Sequence, residues 1–265
     1  MHDMLVKIIE KKKEDLRREK RKGGRGNVSS WSGSDHDRIS SNRFYRSVST
    51  SLQNDKRIAL IAEVKFASPT NPNLDSSEQL LDRVRRYEQA RASAISIITE
   101  KHFFKGDPSF VTQVKEVVSL PVLQKDFVID RSQIYEAKAI GSDALLLIAR
   151  LVDKETLQRF VLLTKELGMD PVVEIASEED LKKALTTDTD IIAVNARDLD
   201  TFIVSVETAC ALLKKVPDSF ITLGFSGIHS AKEVILYKKA GAHGVLVGTS
   251  LMQAKNIQDF IQKLL

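Results

Sequence analysis

Ile58-Ala59-Leu60-Ile61-Ala62-Glu63-Val64-Lys65-Phe66-Ala67-Ser68-Pro69 is the stretch on which the fold turns. Its apolar run, 58–62, is too short for a helix and has no polar alternation, so it predicts a strand buried on both faces. Glu63 and Lys65 follow two apart at the carboxyl end, which places both on one face. Ser68-Pro69 then opens a loop. An acid and an ammonium brought together at a strand end form either a chemical site or a structural ion pair, and this stretch alone leaves both open.

Outward from it, strand and helix signals alternate without interruption. Strand candidates lie at 58–64, 94–99, 121–123, 144–148, 171–174, 191–194, 220–223 and 244–247. Helical patterns fill the intervals at 77–91, 108–118, 132–140, 154–167, 178–185, 206–214, 231–240 and 257–264. Eight apolar strands, each followed by a helix, predict an α/β fold in which a parallel sheet closes into a TIM (β/α)8 barrel. A doubly wound open sheet is the runner-up, weakened because no Gly-x-Gly-x-x-Gly follows any strand. Gly141, Gly168 and Gly241 fall where helices must stop and turn.

Ahead of the barrel, residues 4–22 predict a helix with one apolar corner (Leu5, Ile8, Ile9) and a long charged surface. Residues 27–51 are Ser-rich, with Trp31, Phe44 and Tyr45 as isolated anchors, and are expected to form an irregular lead-in. The division expected is a helical extension over 1–52 packed on a barrel over 53–265, one domain overall. A chain of 265 residues suits one such barrel. Forty basic residues against 36 acidic ones, an excess of four, is too mild for a nucleic-acid protein. The single cysteine, Cys210, excludes an internal disulfide and a cysteine metal cluster. No run approaches a membrane span, and the first residues are charged where a signal peptide is apolar. A cytoplasmic monomer with no nucleic-acid or membrane partner is the expectation.

In such a barrel the active site lies at the carboxyl ends of the strands. Those ends carry Glu63, Lys65 and Ser68; Thr99, Glu100 and Phe104; Lys125, Asp126 and Phe127; Glu174; and Asn195, Arg197 and Asp198. Buried charges need partners, and lysines and glutamates converging from several strands point to chemistry more than to one structural pair. Ser226-Gly227 after the seventh strand and Gly248-Thr249-Ser250 after the eighth, the latter opening a short helical turn, sit where these barrels bind phosphate.

Ala62-Glu63-Val64-Lys65, Ala67-Ser68-Pro69, Ile98-Thr99-Glu100, Gln124-Lys125-Asp126-Phe127, Val173-Glu174, Asn195-Ala196-Arg197-Asp198-Leu199 and Gly248-Thr249-Ser250-Leu251-Met252 together resemble indole-3-glycerol phosphate synthase over essentially the whole chain. The resemblance implies a carboxy-lyase of tryptophan biosynthesis acting on 1-(2-carboxyphenylamino)-1-deoxyribulose 5-phosphate, with no metal or organic cofactor. It implies Lys125 as general acid, Lys65 at the substrate carboxylate, Glu174 managing protons in dehydration, and Glu63 and Asn195 orienting the lysines and substrate. It also implies apolar walls from Phe104, Phe127, Leu146 and Leu199, Arg197 among the binding residues, and phosphate on Ser68, Ser226, Gly227, Gly248 and Thr249.

Three departures stand out. The family's Ser-Glu-Ser-Gly-Ile reads Gly224-Phe225-Ser226-Gly227-Ile228, replacing a glutamate by Phe225. Its Lys-Arg-Ala-Ser-Pro-Ser-Lys-Gly loop reads Lys65-Phe66-Ala67-Ser68-Pro69-Thr70-Asn71-Pro72, and Ala196 stands where another asparagine is usual. These motivate an alternative, a phosphate-binding barrel that has lost the synthase step for another catalytic or a regulatory role. A neighbouring isomerase of the same pathway, with a cysteine base after the first strand, fits poorly because that strand ends in Glu63-Val64-Lys65.

Overall fold

The computed structural model describes residues 3–21, 42–55, 57–69, 71, 74, 79–198, 201 and 203–265. Two helices, α1 (Asp3–Arg21) and α2 (Arg43–Asp55), precede eight strands. These are β1 (Ala59–Val64), β2 (Ala94–Ile98), β3 (Val122–Lys125), β4 (Ala144–Ile148), β5 (Asp170–Ile175), β6 (Ile191–Asn195), β7 (Ile221–Phe225) and β8 (Gly244–Val247). All neighbours are parallel and pair in chain order, with β8 returning to β1 to close the barrel. The outer helices are α3 (Leu80–Gln89), α4 (Ser109–Lys115), α5 (Arg131–Ala139), α6 (Lys154–Glu166), α7 (Glu178–Ala184), α8 (Val206–Leu213) and α9 (Ala231–Lys239), followed by short α10 (Thr249–Met252) and α11 (Ile257–Leu264). The open-sheet alternative is thereby excluded, and Cys210 lies on α8, away from the first strand.

The strands lack polar alternation because both faces are buried. Ile61, Leu123, Leu146, Val172, Ala193, Leu223 and Leu246 fill the barrel interior, while Leu60, Ile97, Leu147, Val173 and Val245 pack under the helices. Strand ends run past the apolar residues that announced them. β3 reaches Lys125 because its backbone still pairs with Ile98, and β7 reaches Phe225 because it pairs with Asn195. The ladder is backbone chemistry and does not stop where hydrophobicity does.

The N-terminal segment departs most from expectation. Residues 43–51, read as irregular, are helical and belong to α2, while residues 27–41 lie outside the described region. Phe44 and Val48 project from α2 into the barrel interior and close its amino-terminal end. The helix start is capped from a distance: the Asp170 carboxylate, at the start of β5, accepts the backbone N–H of Phe44 and of Tyr45 at 3.1 Å each. A cap supplied by another part of the chain leaves no local signal. Residue 52 falls within α2, so the helix runs through the expected extension boundary.

α1 lies at the opposite end. Leu5 and Ile8 are each 1% exposed, and the charged side that was expected to be solvated is partly tied to the barrel. Lys12 Nζ sits 2.7 Å from Asp126 Oδ1, Lys20 Nζ 2.8 Å from Asp130 Oδ2, and His102 Nε2 2.7 Å from Asp15 Oδ2. The extension thus plugs one mouth of the barrel with α2 and roofs the other with α1.

Candidate active site

The strand order carries Glu63, Lys125, Glu174 and Asn195 inward to one level, around a cavity of about 260 Å³ at the carboxyl ends of the strands. Glu63 is 2% exposed and bridges two ammonium groups: Oε1 lies 3.0 Å from Lys65 Nζ, and Oε2 lies 3.8 Å from Lys125 Nζ. Burial would raise its pKa, but the Lys65 and Lys125 charges, with Arg197 behind them, outweigh burial and hold Glu63 below the ordinary carboxylate range. Room for this carboxylate exists because position 248 is glycine. A Cβ there would meet Glu63 Oε1 at 2.2 Å.

Glu174 has the opposite electrostatics. Its Oε1 accepts the Asn195 amide at 3.0 Å, while its Oε2 is buried with no partner among the described residues. Burial raises its pKa, the nearby Glu63 charge adds to this, and Lys125 with the Asn195 hydrogen bond only partly offsets it. Asn195 Oδ1 accepts the backbone N–H of Arg197 at 3.0 Å, which fixes which end of the amide faces Glu174. Two carboxyl groups pushed in opposite directions within one cavity favour the anion at Glu63 and the protonated form at Glu174. Burial also lowers the Arg197 pKa, with the Glu63 charge opposing it.

Phe104 and Phe127 face each other across one wall, ring centroids 6.2 Å apart and planes at 39°. Their placement has a source in the preceding loops. The Glu100 carboxylate is buried and accepts the N–H groups of His102, Phe103 and Phe104, so it shapes the turn and is not a reacting group. Asp126 is likewise structural, accepting the Thr99 hydroxyl at 2.8 Å while holding Lys12 of α1.

Leu146 does not form a wall. It is 1% exposed in the barrel interior, one pleat below the cavity, and Ile148, two residues on along β4, lines the cavity in its place. Leu199 lies outside the described residues. Phe225 points inward, 1% exposed, and lines the cavity with Leu246; Leu5 and Ile8 of α1 cover it. The sequence reading missed Leu5, Ile8, Ile148 and Leu246. Only the alternation along β4 and β8 could have found the last two.

Ser68, Ser226, Gly227, Gly248 and Thr249 all line the cavity. Ser226 and Gly227 both take left-handed backbone conformations, φ +68° and +73°. A side chain at Gly227 would meet Val206 Cγ2 at 2.6 Å. Tyr237 braces this turn from α9, donating its hydroxyl to the Phe225 and Ser226 carbonyls at 3.1 Å each, with its ring packed where a Cβ on Gly224 would stand. Ser68 and Asn71 exchange backbone hydrogen bonds of 2.8 Å and 3.0 Å, closing the first loop into a tight turn beside the cavity. Among the described residues no three His, Cys, Asp or Glu side chains converge to hold a metal ion.

Comparison with known proteins agrees with this architecture. The family model for indole-3-glycerol phosphate synthase matches residues 5–264. The chain is similar to the indole-3-glycerol phosphate synthase of Caldanaerobacter subterraneus subsp. tengcongensis, 36% identical over 262 residues covering 98% of each chain. It is similar also to that of Priestia megaterium, 40% identical over 221 residues, 83% of this chain and 87% of the relative. Among solved structures it shares its fold with a 3-hexulose-6-phosphate synthase at a TM-score of 0.63 and 14% identity, over 78% of this chain and 98% of that one.

Proposed function

The chain belongs to the indole-3-glycerol phosphate synthase family and is a carboxy-lyase of tryptophan biosynthesis that acts on a phosphorylated substrate, and we propose that the cavity residues divide the ring-closing chemistry among them as follows. The substrate in this reading is 1-(2-carboxyphenylamino)-1-deoxyribulose 5-phosphate. Its ring packs against Phe104 and Phe127, and its phosphate lies against Ser68, Ser226, Gly227, Gly248 and Thr249, where backbone amides and the start of α10 are available to an anion.

Lys65 and Arg197 meet the ring carboxylate. Lys125 donates a proton to the ketone oxygen as the ring carbon bearing that carboxylate attacks C2, offsetting charge that develops only in the transition state. Carbon dioxide then leaves with its bonding electrons returned to the ring. Loss of the C2 hydroxyl as water follows, with Glu174 delivering a proton to the departing oxygen, and loss of a C1 proton completes the indole. Glu63 sets the two lysines in place and Asn195 sets Glu174. The observation that carries this assignment is the contrast between Glu63, doubly paired with Lys65 and Lys125, and Glu174, buried with one oxygen unpartnered in the same cavity.

The reading includes a monomer as the working unit and cytoplasmic action. Among the described residues no helix is long and apolar enough to cross a membrane. Nothing observed favours the alternative of a barrel without the synthase step. Steady-state assay of indole-glycerol phosphate formation tests the assignment. Lys125→Met is expected to abolish turnover while substrate binding and the folded state persist. Retention of most of kcat would remove Lys125 from the acid role.

A further inference from the structure

Four outer helices hand the chain to the next strand through one kind of turn. After α5, α6 and α9 the left-handed position is Gly141, Gly168 or Gly241, at φ +86°, +75° and +98°. In each, that glycine donates its N–H to the carbonyl three residues back, and the next residue donates to the carbonyl five back. After α3 the same pair of hydrogen bonds is made by Arg91 to Glu88 and by Ala92 to Tyr87, yet the left-handed residue is an arginine at φ +63°. An L side chain is strained there and glycine is not. Strain kept at one of four equivalent turns directs attention to what the side chain does.

The Arg91 guanidinium pairs with no side chain among the described residues, and it stands at the amino-terminal end of the barrel, away from the active site. Two adjoining clefts meet there, of about 510 Å³ and about 490 Å³, sharing Ser51, Arg91 and Ser93. Arg57, just ahead of β1, lines the first, and Arg46, on α2, lines the second. All three arginines are exposed. No Asp or Glu lines either cleft among the described residues, so the positive charge that the three arginines bring to this face is offset by no lining carboxylate.

We propose that this face binds a small, multiply charged anion bearing phosphate or carboxylate groups, held by Arg46, Arg57 and Arg91 at a site separate from the catalytic cavity. Guanidinium groups suit such oxygens because their planar N–H pairs match two acceptor oxygens at once. Three cations around clefts of this size call for more than one negative charge on the ligand. The Ser51 and Ser93 hydroxyls, 2.8 Å apart, add polar groups between the arginines.

The test uses inorganic pyrophosphate as the probe on the full chain, followed by amide resonances of Ala92 and Ser93 for this site and of Gly248 and Thr249 for the catalytic cavity. Saturable shifts at Ala92 and Ser93 are expected in the wild type. Arg91→Gly relieves the strained backbone and so keeps the fold, and it should weaken binding at Ala92 and Ser93 about tenfold, the effect of one charge-assisted contact. The response at Gly248 and Thr249 and the synthase kcat/KM should not change. Arg57→Gln, which leaves the turn untouched, should weaken binding similarly. Absence of saturable shifts at Ala92 and Ser93, or unchanged affinity in either variant, would overturn the proposal.

Discussion

Gly248→Ala probes the role of Glu63 without removing any charged group. The glycine, at φ −120° and ψ −79°, lies outside the left-handed region that favours glycine, and the new methyl meets close neighbours. It meets Glu63 Oε1 at 2.2 Å, Glu63 Cδ at 3.0 Å and Lys65 Nζ at 3.1 Å. The first contact cannot persist, so the carboxylate must swing away from Lys65 and Lys125. The moving atoms are the tip of a flexible side chain, so folding stability should fall by only about 1–3 kcal/mol, as for modest overpacking. The catalytic loss should be larger in proportion. Removing a charge-assisted contact costs about 1.5–3 kcal/mol, or roughly 10- to 150-fold in kcat. Steady-state kinetics with thermal unfolding would measure both. Gly248→Ala added to Glu63→Gln should lower kcat little further, because both act through the same carboxylate. A rise in KM with unchanged kcat would show that Gly248 acts through phosphate binding and refute the reasoning; so would fully additive losses in the double variant.

The two glutamates should affect stability in opposite directions with pH. Glu174 is raised, so it favours the folded state below the ordinary carboxylate range and loses that contribution as pH rises through its folded pKa. Glu174→Gln should therefore raise the Tm at neutral pH, with the gain vanishing in acid, while kcat falls more than KM rises. Glu63 is lowered, so its contribution is present above the ordinary range and is lost as pH falls through its folded pKa; Glu63→Gln should lower the Tm at neutral pH, with the deficit closing in acid. Denaturation across pH checks both, and the same sign for the two variants would contradict the electrostatic assignment. Lys12→Ala cuts the 2.7 Å tie to Asp126 and loosens the α1 roof, and KM should rise about five- to tenfold, about 1–1.4 kcal/mol, with kcat little changed. An unchanged KM would mean that Leu5 and Ile8 stay seated without that ion pair. Phe225→Glu restores the family residue on an inward-facing buried position next to Asn195, and kcat/KM should rise about tenfold although lost aromatic burial lowers stability by roughly 1.5–3 kcal/mol. No gain in kcat/KM, measured under conditions where the variant is folded, would show that the site no longer accommodates a carboxylate there.

Much of this protein is legible in its sequence because a parallel barrel writes its pattern locally. Each strand is an apolar run, each helix a 3.6-residue period, and the chain order of strands is their spatial order, so eight repeats fix the closed sheet. The residues just past each run then necessarily share one end of the barrel, which is why Glu63, Lys65, Lys125, Glu174 and Asn195 could be named together before any geometry was known.

The tertiary structure alone decided what depends on partners distant in sequence. It assigned Phe225 to the inside of the cavity and Leu146 to the layer below it, since the depth of a side chain in a barrel depends on the register between neighbouring strands. It made a helix of residues 43–55, because the cap that satisfies the first N–H groups belongs to Asp170. It turned the charged helix α1 into a roof by pairing Lys12, Asp15 and Lys20 with Asp126, His102 and Asp130. It also separated Glu63 from Glu174, two glutamates at strand ends that look alike in sequence. Their opposite pKa directions come from which lysines stand near each carboxylate and from how completely each is withdrawn from water, and neither is written along the chain.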